Sequence, residues 1–179
     1  MFKVICVSAR QHSNNFLQSI EMIAKSEVEA IILREKDMPY EEYFRLAKNA
    51  VEISGKIILH TYIEVCEALN YRKIHLPYAQ FANNCDRIKS YDIKGVSIHA
   101  IDEAVHASQL GCTYVTASHI FPTKCKEGLA PRGVSWLHDV CTAADTAVYA
   151  LGGIHEYNAA ECIKAGADGI CMMSEAMTR

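Results

Sequence analysis

The chain has 179 residues, half of them hydrophobic, with 18 lysines and arginines against 21 aspartates and glutamates. This length and composition are typical of one globular domain, and we treat residues 1–179 as a single domain. A net charge of -3 without a basic run argues against a nucleic-acid-binding protein. The apolar runs are far shorter than the roughly 20 residues of a membrane span, and no signal-peptide pattern follows Met1. We therefore expect a cytoplasmic protein that binds neither nucleic acid nor membranes.

The eight cysteines are scattered along the chain without a C-x-x-C pair. This spacing argues against a zinc ribbon and against a thioredoxin-type redox motif, and no metal site is predicted. We interpret most of the cysteines as small buried thiols. Cys125 differs because it lies between Lys124 and Lys126, whose charges favour a reactive thiolate.

Short runs rich in valine, isoleucine and tyrosine alternate with segments of helical spacing. We predict eight strands, near residues 2–7, 30–34, 56–60, 73–76, 95–98, 113–118, 146–150 and 168–173. Continuous apolar strands separated by helices are typical of a parallel sheet covered on both faces. Two helices are well marked, over residues 101–110 and 156–165, because Gly111 and Gly166 follow them and suit a left-handed cap.

The sequences around Gly111 and Gly166 resemble each other, which indicates a repeat of two βα units. Eight such units predict a compact (β/α)₈ TIM barrel. Its fourth βα unit would be short, because only residues 78–91 separate strands four and five, and residues 174–179 leave a truncated C-terminal helix. The alternative, an open doubly wound sheet, predicts a glycine-rich turn after the first strand, and residues 8–12 contain no glycine.

In a TIM barrel the functional residues lie at the C-terminal ends of the strands. Two of these ends are suited to a phosphate group, because main-chain N–H groups approach an anion closely where side chains are absent, and a helix start favours negative charge. We predict phosphate binding by residues that follow strands seven and eight, namely Gly152, Gly153, Met173 and Ser174. An ordinary turn at the glycine pair is the alternative.

Charged and reactive residues follow strands two and six. Arg34, Glu35 and Lys36 come directly after an apolar strand, where a cation is typical of a ligand site, although a solvated strand end is the alternative. His119 opens the densest cluster of reactive groups, and histidine both takes and returns a proton near neutral pH. Three other histidines at strand ends are interpreted as hydrogen-bonded structural residues: His60, His75 and His99.

Four short motifs follow one another at the predicted barrel positions: LREKD at 33–37, GVSIH at 95–99, ALGGI at 150–154 and GADGI at 166–170. They resemble the L-R-E-K-D, G-V-S-x-H, A-I-G-G-I and G-A-D-G-V motifs of the thiamine phosphate synthase and TenI superfamily of (β/α)₈ barrels. The resemblance extends from about residue 30 to residue 176, which is most of the chain.

Within this superfamily, residues 118–133 resemble the TenI pattern G-H-V-F-x-T-x-C-K-x-G-L-x-x-R-G, with Ser118 in place of its first glycine. The resemblance implies that His119 is the proton-transfer residue of a thiazole tautomerase and that Lys126, the conserved lysine of the pattern, is a second catalytic residue. The implied substrate is a carboxylated thiazole phosphate tautomer, which becomes aromatic when a proton moves from one carbon to another. We then expect Arg34, Lys36 and Cys125 to contact the substrate, without a cofactor.

The synthases of the superfamily hold Mg²⁺ for pyrophosphate departure through aspartates in I-N-D and H-L-G-x-x-D motifs. The corresponding stretches here are residues 59–61 and 75–80, and the two aspartate positions are occupied by Thr61 and Gln80. A glutamine of the synthases is likewise replaced by Ile32. These losses leave a hard divalent cation without carboxylates, so they favour the tautomerase.

Two alternatives stay open at this stage. A divergent thiamine phosphate synthase, which would need Mg²⁺, is favoured by Ser97 and Lys126, because both occupy positions used in that reaction. A non-enzymatic regulator that binds a phosphorylated ligand is favoured by the short chain. In each case we expect a homo-oligomer, because loss of the eighth helix exposes apolar barrel surface.

Overall fold

Eight parallel strands close into a barrel in the computed structural model, which describes residues 2–123 and 126–173 and, of His12, only the backbone. The strands are β1 Lys3–Val7, β2 Ala30–Leu33, β3 Ile57–His60, β4 Lys73–Pro77, β5 Ile93–Ile98, β6 Tyr114–Ser118, β7 Ala147–Leu151 and β8 Gly169–Met172. Each pairs with the next, and β8 pairs with β1. The predicted TIM barrel is confirmed, and each predicted strand overlaps an observed one.

Helices connect the strands on the outside of the barrel. They are α1 Phe16–Ala24, α2 Tyr40–Ile53, α3 Ile63–Ala68, α4 Tyr78–Asn84, α5 Ile101–Gln109, α6 Gly133–Ala143 and α7 Ala159–Lys164, with a 3-10 turn at Arg10–His12. The short fourth unit is confirmed, since α4 has 7 residues, but α3 and α7 have only 6 each, so the compression is spread over the barrel. The predicted truncated helix at 174–179 lies outside the described residues. Within the described part, no helix has the length and apolar character to cross a membrane.

The predicted repeat has a matching backbone at both helix ends. Gly111 follows α5 with a φ of 79°, and Gly166 follows α7 with a φ of 103°. In each case the next residue donates its N–H back to the helix, Cys112 to Ala107 and Ala167 to Cys162, both at 3.1 Å. A side chain at either position would strain this left-handed turn, which explains the glycine.

The predicted start of the seventh helix is wrong by three residues. Residues 156–158 form a turn, and α7 begins at Ala159. The Asn158 side chain accepts a hydrogen bond from the His155 N–H at 2.8 Å and donates one to the Gly153 carbonyl at 2.9 Å. An asparagine that binds nearby main-chain groups competes with helical hydrogen bonds, so the helix begins after it.

Apolar side chains fill both faces of the sheet. One cluster packs between strands and helices, and a second fills the barrel interior with Ile5, Val7, Ala30, Ile32, Ile58, Tyr114, Tyr149 and Cys171. Strand residues alternate between the two faces of the sheet, and here both faces are covered. Every residue of β2 and β3 is therefore buried, which accounts for their continuous apolar sequences. Toward the C-terminal end, the interior positions become polar, at His60, His75 and Thr116.

Opposite charges are paired at the N-terminal end of the barrel. The Tyr149 hydroxyl donates a hydrogen bond to the Glu29 carboxylate. The same carboxylate forms an ion pair with the Lys3 ammonium group at 3.5 Å. This arrangement connects β7, the start of β2 and the start of β1, so it stabilises closure of the sheet.

Candidate active site

His119 follows β6 at the C-terminal end of the barrel, which we call the mouth, and is 8% exposed. Its Nε2 atom lies 3.4 Å from the carbonyl oxygen of Leu129. A carbonyl only accepts, so this contact assigns the ring proton to Nε2 and leaves the lone pair on Nδ1. Nδ1 makes no hydrogen bond to a described residue, and all fully buried side-chain nitrogens of those residues have partners. Nδ1 is therefore the ring nitrogen that is left to accept a proton.

The segment that connects β6 to α6 folds back on His119. The Arg132 N–H donates to the His119 carbonyl at 3.0 Å, and the Gly133 N–H donates to the Ile120 carbonyl at 3.1 Å. The Leu129 N–H in turn donates to the Lys126 carbonyl at 3.1 Å. Both ends of the segment are thus fixed beside the imidazole. Lys124 and Cys125 lie outside the described residues, so the role predicted for Cys125 stays a prediction.

The glycine pair predicted to bind phosphate lies directly against this segment. A Cβ on Gly152 would lie 2.4 Å from the Cβ of His119, and one on Gly153 would lie 2.5 Å from the Pro122 carbonyl oxygen. Both glycines have positive φ, 100° and 66°. The close approach therefore requires glycine whether or not a ligand binds.

The same turn nevertheless presents hydrogen-bond donors. The Gly152 carbonyl accepts from Phe121 N–H at 3.0 Å, whereas no main-chain carbonyl of the described residues accepts from the N–H of Gly152 or Gly153. Met173 is half-buried beside the interior cluster, and Ser174 lies outside the described residues. The predicted phosphate site is thus represented here by two N–H donors that bind no main-chain carbonyl of the described residues.

Asn158, a buried residue, is a member of the site that sequence reasoning missed. Its two hydrogen bonds to His155 and Gly153 fix the turn that carries the glycine pair. The available signal was an asparagine just after a Gly-Gly turn, where asparagine side chains commonly bind the main chain. Asn158 therefore positions the N–H groups of Gly152 and Gly153.

The charged residues after β2 divide into an engaged carboxylate and free cations. Ser8, at the end of β1, donates its hydroxyl proton to Glu35 at 2.8 Å and accepts the Arg34 N–H at 2.9 Å. No described carboxylate lies within ion-pair distance of the side chains of Arg34, Lys36 or Lys126. Ser8 is a second residue that the sequence patterns did not single out.

The three predicted cations converge at the mouth. Burial lowers the pKa of Lys36, and the charges of Arg34 and Lys126 lower it further, while Asp37 opposes them. Lys126 follows β6, which lies opposite β2 in the ring of eight strands. The β6–α6 segment therefore reaches across the mouth toward β2. A cation cluster that forms no ion pair with a carboxylate of the described residues suits an anionic ligand.

Two other histidines occupy the barrel interior below the cations. His75 hydrogen-bonds the Tyr114 hydroxyl through Nδ1 at 2.9 Å and Ser97 through Nε2 at 2.7 Å. Burial and, to a smaller extent, the Arg34 charge lower the pKa of His75 to about 3. Burial and neighbouring positive groups also hold the pKa of His60 well below its usual range. Both rings are therefore neutral at neutral pH, as expected for hydrogen-bonded interior histidines.

His99, by contrast, is exposed at the mouth. Its main-chain N–H binds the Glu103 carboxylate at 2.6 Å, and its Nδ1 lies 3.3 Å from the Ser118 carbonyl oxygen. This second contact supports the peptide that precedes His119.

The positions at which synthases of the superfamily carry metal-binding aspartates are neutral here. The Gln80 amide donates to the Thr61 carbonyl at 2.6 Å, and the Thr61 hydroxyl contacts the His60 ring. Among the described residues, no group of three or more His, Cys, Asp or Glu side chains is arranged to hold a metal ion. Mg²⁺ prefers carboxylate oxygens, so these residues do not fit it.

The fold and these residues define a (β/α)₈ barrel with a candidate active site at its C-terminal mouth. The chain belongs to the thiamine monophosphate synthase family, whose profile matches residues 3–176. The family predicted from the sequence motifs is thereby confirmed.

Individual relatives agree with this assignment. A "Putative thiamine-phosphate synthase 2" of Aquifex aeolicus is 31% identical over 92% of this chain and 91% of its own length. A "Thiamine-phosphate synthase" of Clostridium tetani is 29% identical over 79% of this chain and 71% of its own. A solved thiamine phosphate pyrophosphorylase from Pyrococcus furiosus shares the fold, with a TM-score of 0.82 at 23% identity over 99% of this chain and 88% of its own. These names favour the synthase alternative over the tautomerase.

Proposed function

We propose that the chain is a thiazole tautomerase that works without a metal ion and uses His119 to move a proton on a carboxylated thiazole phosphate. The observation that carries this proposal is His119 itself, whose Nε2 contacts the Leu129 carbonyl while Nδ1 has no hydrogen-bond partner among the described residues. The neutral Thr61 and Gln80 support it further, because a tautomerase needs no pyrophosphate-binding cation.

In the proposed reaction, Nδ1 of His119 removes a proton from one ring carbon of the substrate. The C–H electron pair enters the conjugated system, and the imidazolium then returns a proton to a second carbon to give the aromatic thiazole. The Leu129 carbonyl accepts from Nε2–H throughout and so stabilises the imidazolium. Arg34, Lys36 and Lys126 stabilise the negative charge that develops on the substrate.

The substrate phosphate is assigned to the β7–β8 side of the mouth. Gly152 and Gly153 supply N–H donors there that bind no main-chain carbonyl of the described residues, and we propose Met173 and Ser174 as further phosphate contacts. Binding at this place would set the ring beside His119, because Gly152 packs against the Cα and Cβ of that residue. Positioning of this kind is a large part of catalysis.

The second candidate is a divergent thiamine phosphate synthase, and the names of the relatives favour it. Ser97 also lies on the inner face of β5, where it hydrogen-bonds His75. Against this candidate, the neutral Thr61 and Gln80 supply no carboxylate for the Mg²⁺ that supports pyrophosphate departure in that reaction.

The test is an ultraviolet absorbance assay of the purified protein with the carboxythiazole phosphate tautomer in EDTA. We expect conversion by the wild type and a loss of at least about 100-fold in kcat for His119→Asn, since a positioned general base contributes roughly 10²–10⁴-fold. His138→Asn is the matched control, because His138 is exposed on the outer helix α6. Circular dichroism verifies that both variants fold.

Full turnover by His119→Asn would contradict the proposed mechanism. Release of pyrophosphate from a pyrimidine pyrophosphate and a thiazole phosphate, dependent on Mg²⁺, would instead establish the synthase. Binding of the thiazole phosphate without either reaction would indicate a ligand-binding regulator.

A further inference from the structure

His60 occupies a place in the mouth that the proposed proton transfer does not use. It is the last residue of β3, and its main-chain N–H donates to the Tyr43 hydroxyl at 2.8 Å. The same Tyr43 hydroxyl donates to the Leu33 carbonyl at 2.8 Å, so the ends of β2 and β3 are held together. His60 therefore lies beside the strand that leads into Arg34 and Lys36.

One edge of the His60 ring is engaged and the other is open. Nδ1 contacts the Thr61 hydroxyl, and the ring stacks on His75 with centroids 5.7 Å apart. Nε2 has no hydrogen-bond partner among the described residues, and all fully buried side-chain nitrogens and oxygens in that part of the chain have one. Nε2 is therefore the ring nitrogen that is left for a ligand, although the residue as a whole is only 4% exposed.

Thr61 fixes the orientation of this ring. Its φ is 67°, and the Tyr62 N–H donates to the His60 carbonyl across it at 2.8 Å. The Gln80 amide holds the Thr61 carbonyl in place. A threonine hydroxyl can donate to Nδ1, and in that tautomer Nε2 is an N–H donor.

The ring order of the strands indicates which part of a ligand His60 meets. β3 lies opposite β7 in the closed barrel, and β7 leads into the proposed phosphate site at Gly152 and Gly153. A ligand whose phosphate is bound after β7 could therefore extend its far end across the mouth toward β3. In a carboxylated thiazole phosphate, an anionic group remains at that end.

We propose that His60 is a specificity-determining residue that donates an Nε2–H hydrogen bond to the carboxylate of the substrate, together with Arg34 and Lys36. This inference rests on the proposed tautomerase function and names the part of its substrate that the β2–β3 side recognises.

Two substitutions separate the two edges of the ring. His60→Asn keeps a polar group near the Nδ1 position and removes the reach of Nε2, whereas His60→Gln keeps a donor near the Nε2 position. Calorimetric titration would give the Kd of each variant for the aromatic carboxythiazole phosphate and for the same thiazole phosphate without its carboxylate. We expect His60→Asn to weaken the first ligand by roughly 10-fold or more, as loss of a charged hydrogen bond implies. The second ligand should change by less than about twofold, and His60→Gln should retain most of the affinity.

An equal loss of affinity for both ligands in His60→Asn would indicate a structural role and overturn the proposal. Should this variant fail to unfold cooperatively in urea, the wild type decides the matter, because equal wild-type affinities for the two ligands also overturn it. A wild type that neither binds nor converts either thiazole overturns the tautomerase itself. A carboxylate preference that survives in His60→Asn overturns only the role of His60.

Discussion

The two ends of the barrel differ in how their charged side chains are partnered. At the N-terminal end, Glu29 is shared between the Lys3 ammonium group and the Tyr149 hydroxyl. At the mouth, Arg34, Lys36 and Lys126 converge, while the buried carboxylate next to them, Glu35, is bound to Ser8. The difference separates charges that hold the sheet closed from charges that are available to a ligand. Removal of a charge should therefore affect stability at one end and substrate affinity at the other.

The largest expected effect comes from neutralising the mouth. In the double variant Arg34→Gln and Lys36→Gln, we expect KM for the phosphorylated thiazole to rise by about 100-fold, because two charge-assisted contacts are lost. Lys3→Gln is the matched control and should leave KM unchanged, since Lys3 lies at the opposite end. Steady-state kinetics at low and physiological salt would measure both. An equal rise in KM in the double variant and in Lys3→Gln would contradict the distinction between the two ends.

A second prediction concerns the neutral interior between the two ends. The pKa of His75, lowered to about 3 mainly by burial, lies below the value near 6.5 of an unfolded histidine. Between these values the unfolded chain binds more protons, so this contribution to stability is complete above about pH 6.5 and is lost as the pH falls toward 3. We expect the free energy of unfolding to decrease by up to about 1.4 kcal/mol per pH unit from this residue.

Urea unfolding of the wild type and of His75→Gln from pH 7.5 to pH 5 would measure this slope. The variant should show a shallower decrease, with the remainder due to His60, whose pKa is also lowered mainly by burial. His138→Gln, on the exposed side of α6, should match the wild type. If the free energy of unfolding varied with pH in the same way for the wild type and His75→Gln, burial of His75 would not contribute to the pH dependence of stability.

The smallest effect is expected at the N-terminal end. Tyr149→Phe removes the hydroxyl bound to Glu29, and a net hydrogen bond contributes about 1 kcal/mol. Lys3→Gln should lower the free energy of unfolding by less still, because exposed ion pairs contribute roughly 0–1 kcal/mol. Urea unfolding measures both, and kcat/KM should stay at the wild-type value. A drop in kcat/KM without a loss of stability would place function at this end as well.

The sequence predicts the barrel well because each strand is buried on both faces. An apolar run such as residues 30–33 or 57–60 lacks the apolar–polar alternation of an antiparallel sheet with one face in water. The cap glycines Gly111 and Gly166 likewise correspond to specific backbone angles. These features depend on residues that are neighbours in the chain, so they can be predicted without knowledge of the fold.

The site is only partly predictable, since its contacts join residues distant in sequence. The carbonyl that contacts the His119 ring belongs to Leu129, and the effect of the Lys126 charge on the pKa of Lys36 depends on a segment distant in sequence. The turn before α7 depends on where the Asn158 side chain finds partners. Sequence motifs identified His119 and the cations, but their orientation required the closed ring of strands.

The close contact of Gly152 and Gly153 with residues 119–122 has an evolutionary consequence. Any larger residue at these positions would collide with His119 or with the Phe121 and Pro122 carbonyls. A descendant that lost phosphate binding but kept this segment would still be under selection to retain both glycines. In relatives of this chain, the presence of both glycines would therefore indicate the same loop geometry. Substitution of Arg34, Lys36 or Lys126 would instead indicate a different substrate.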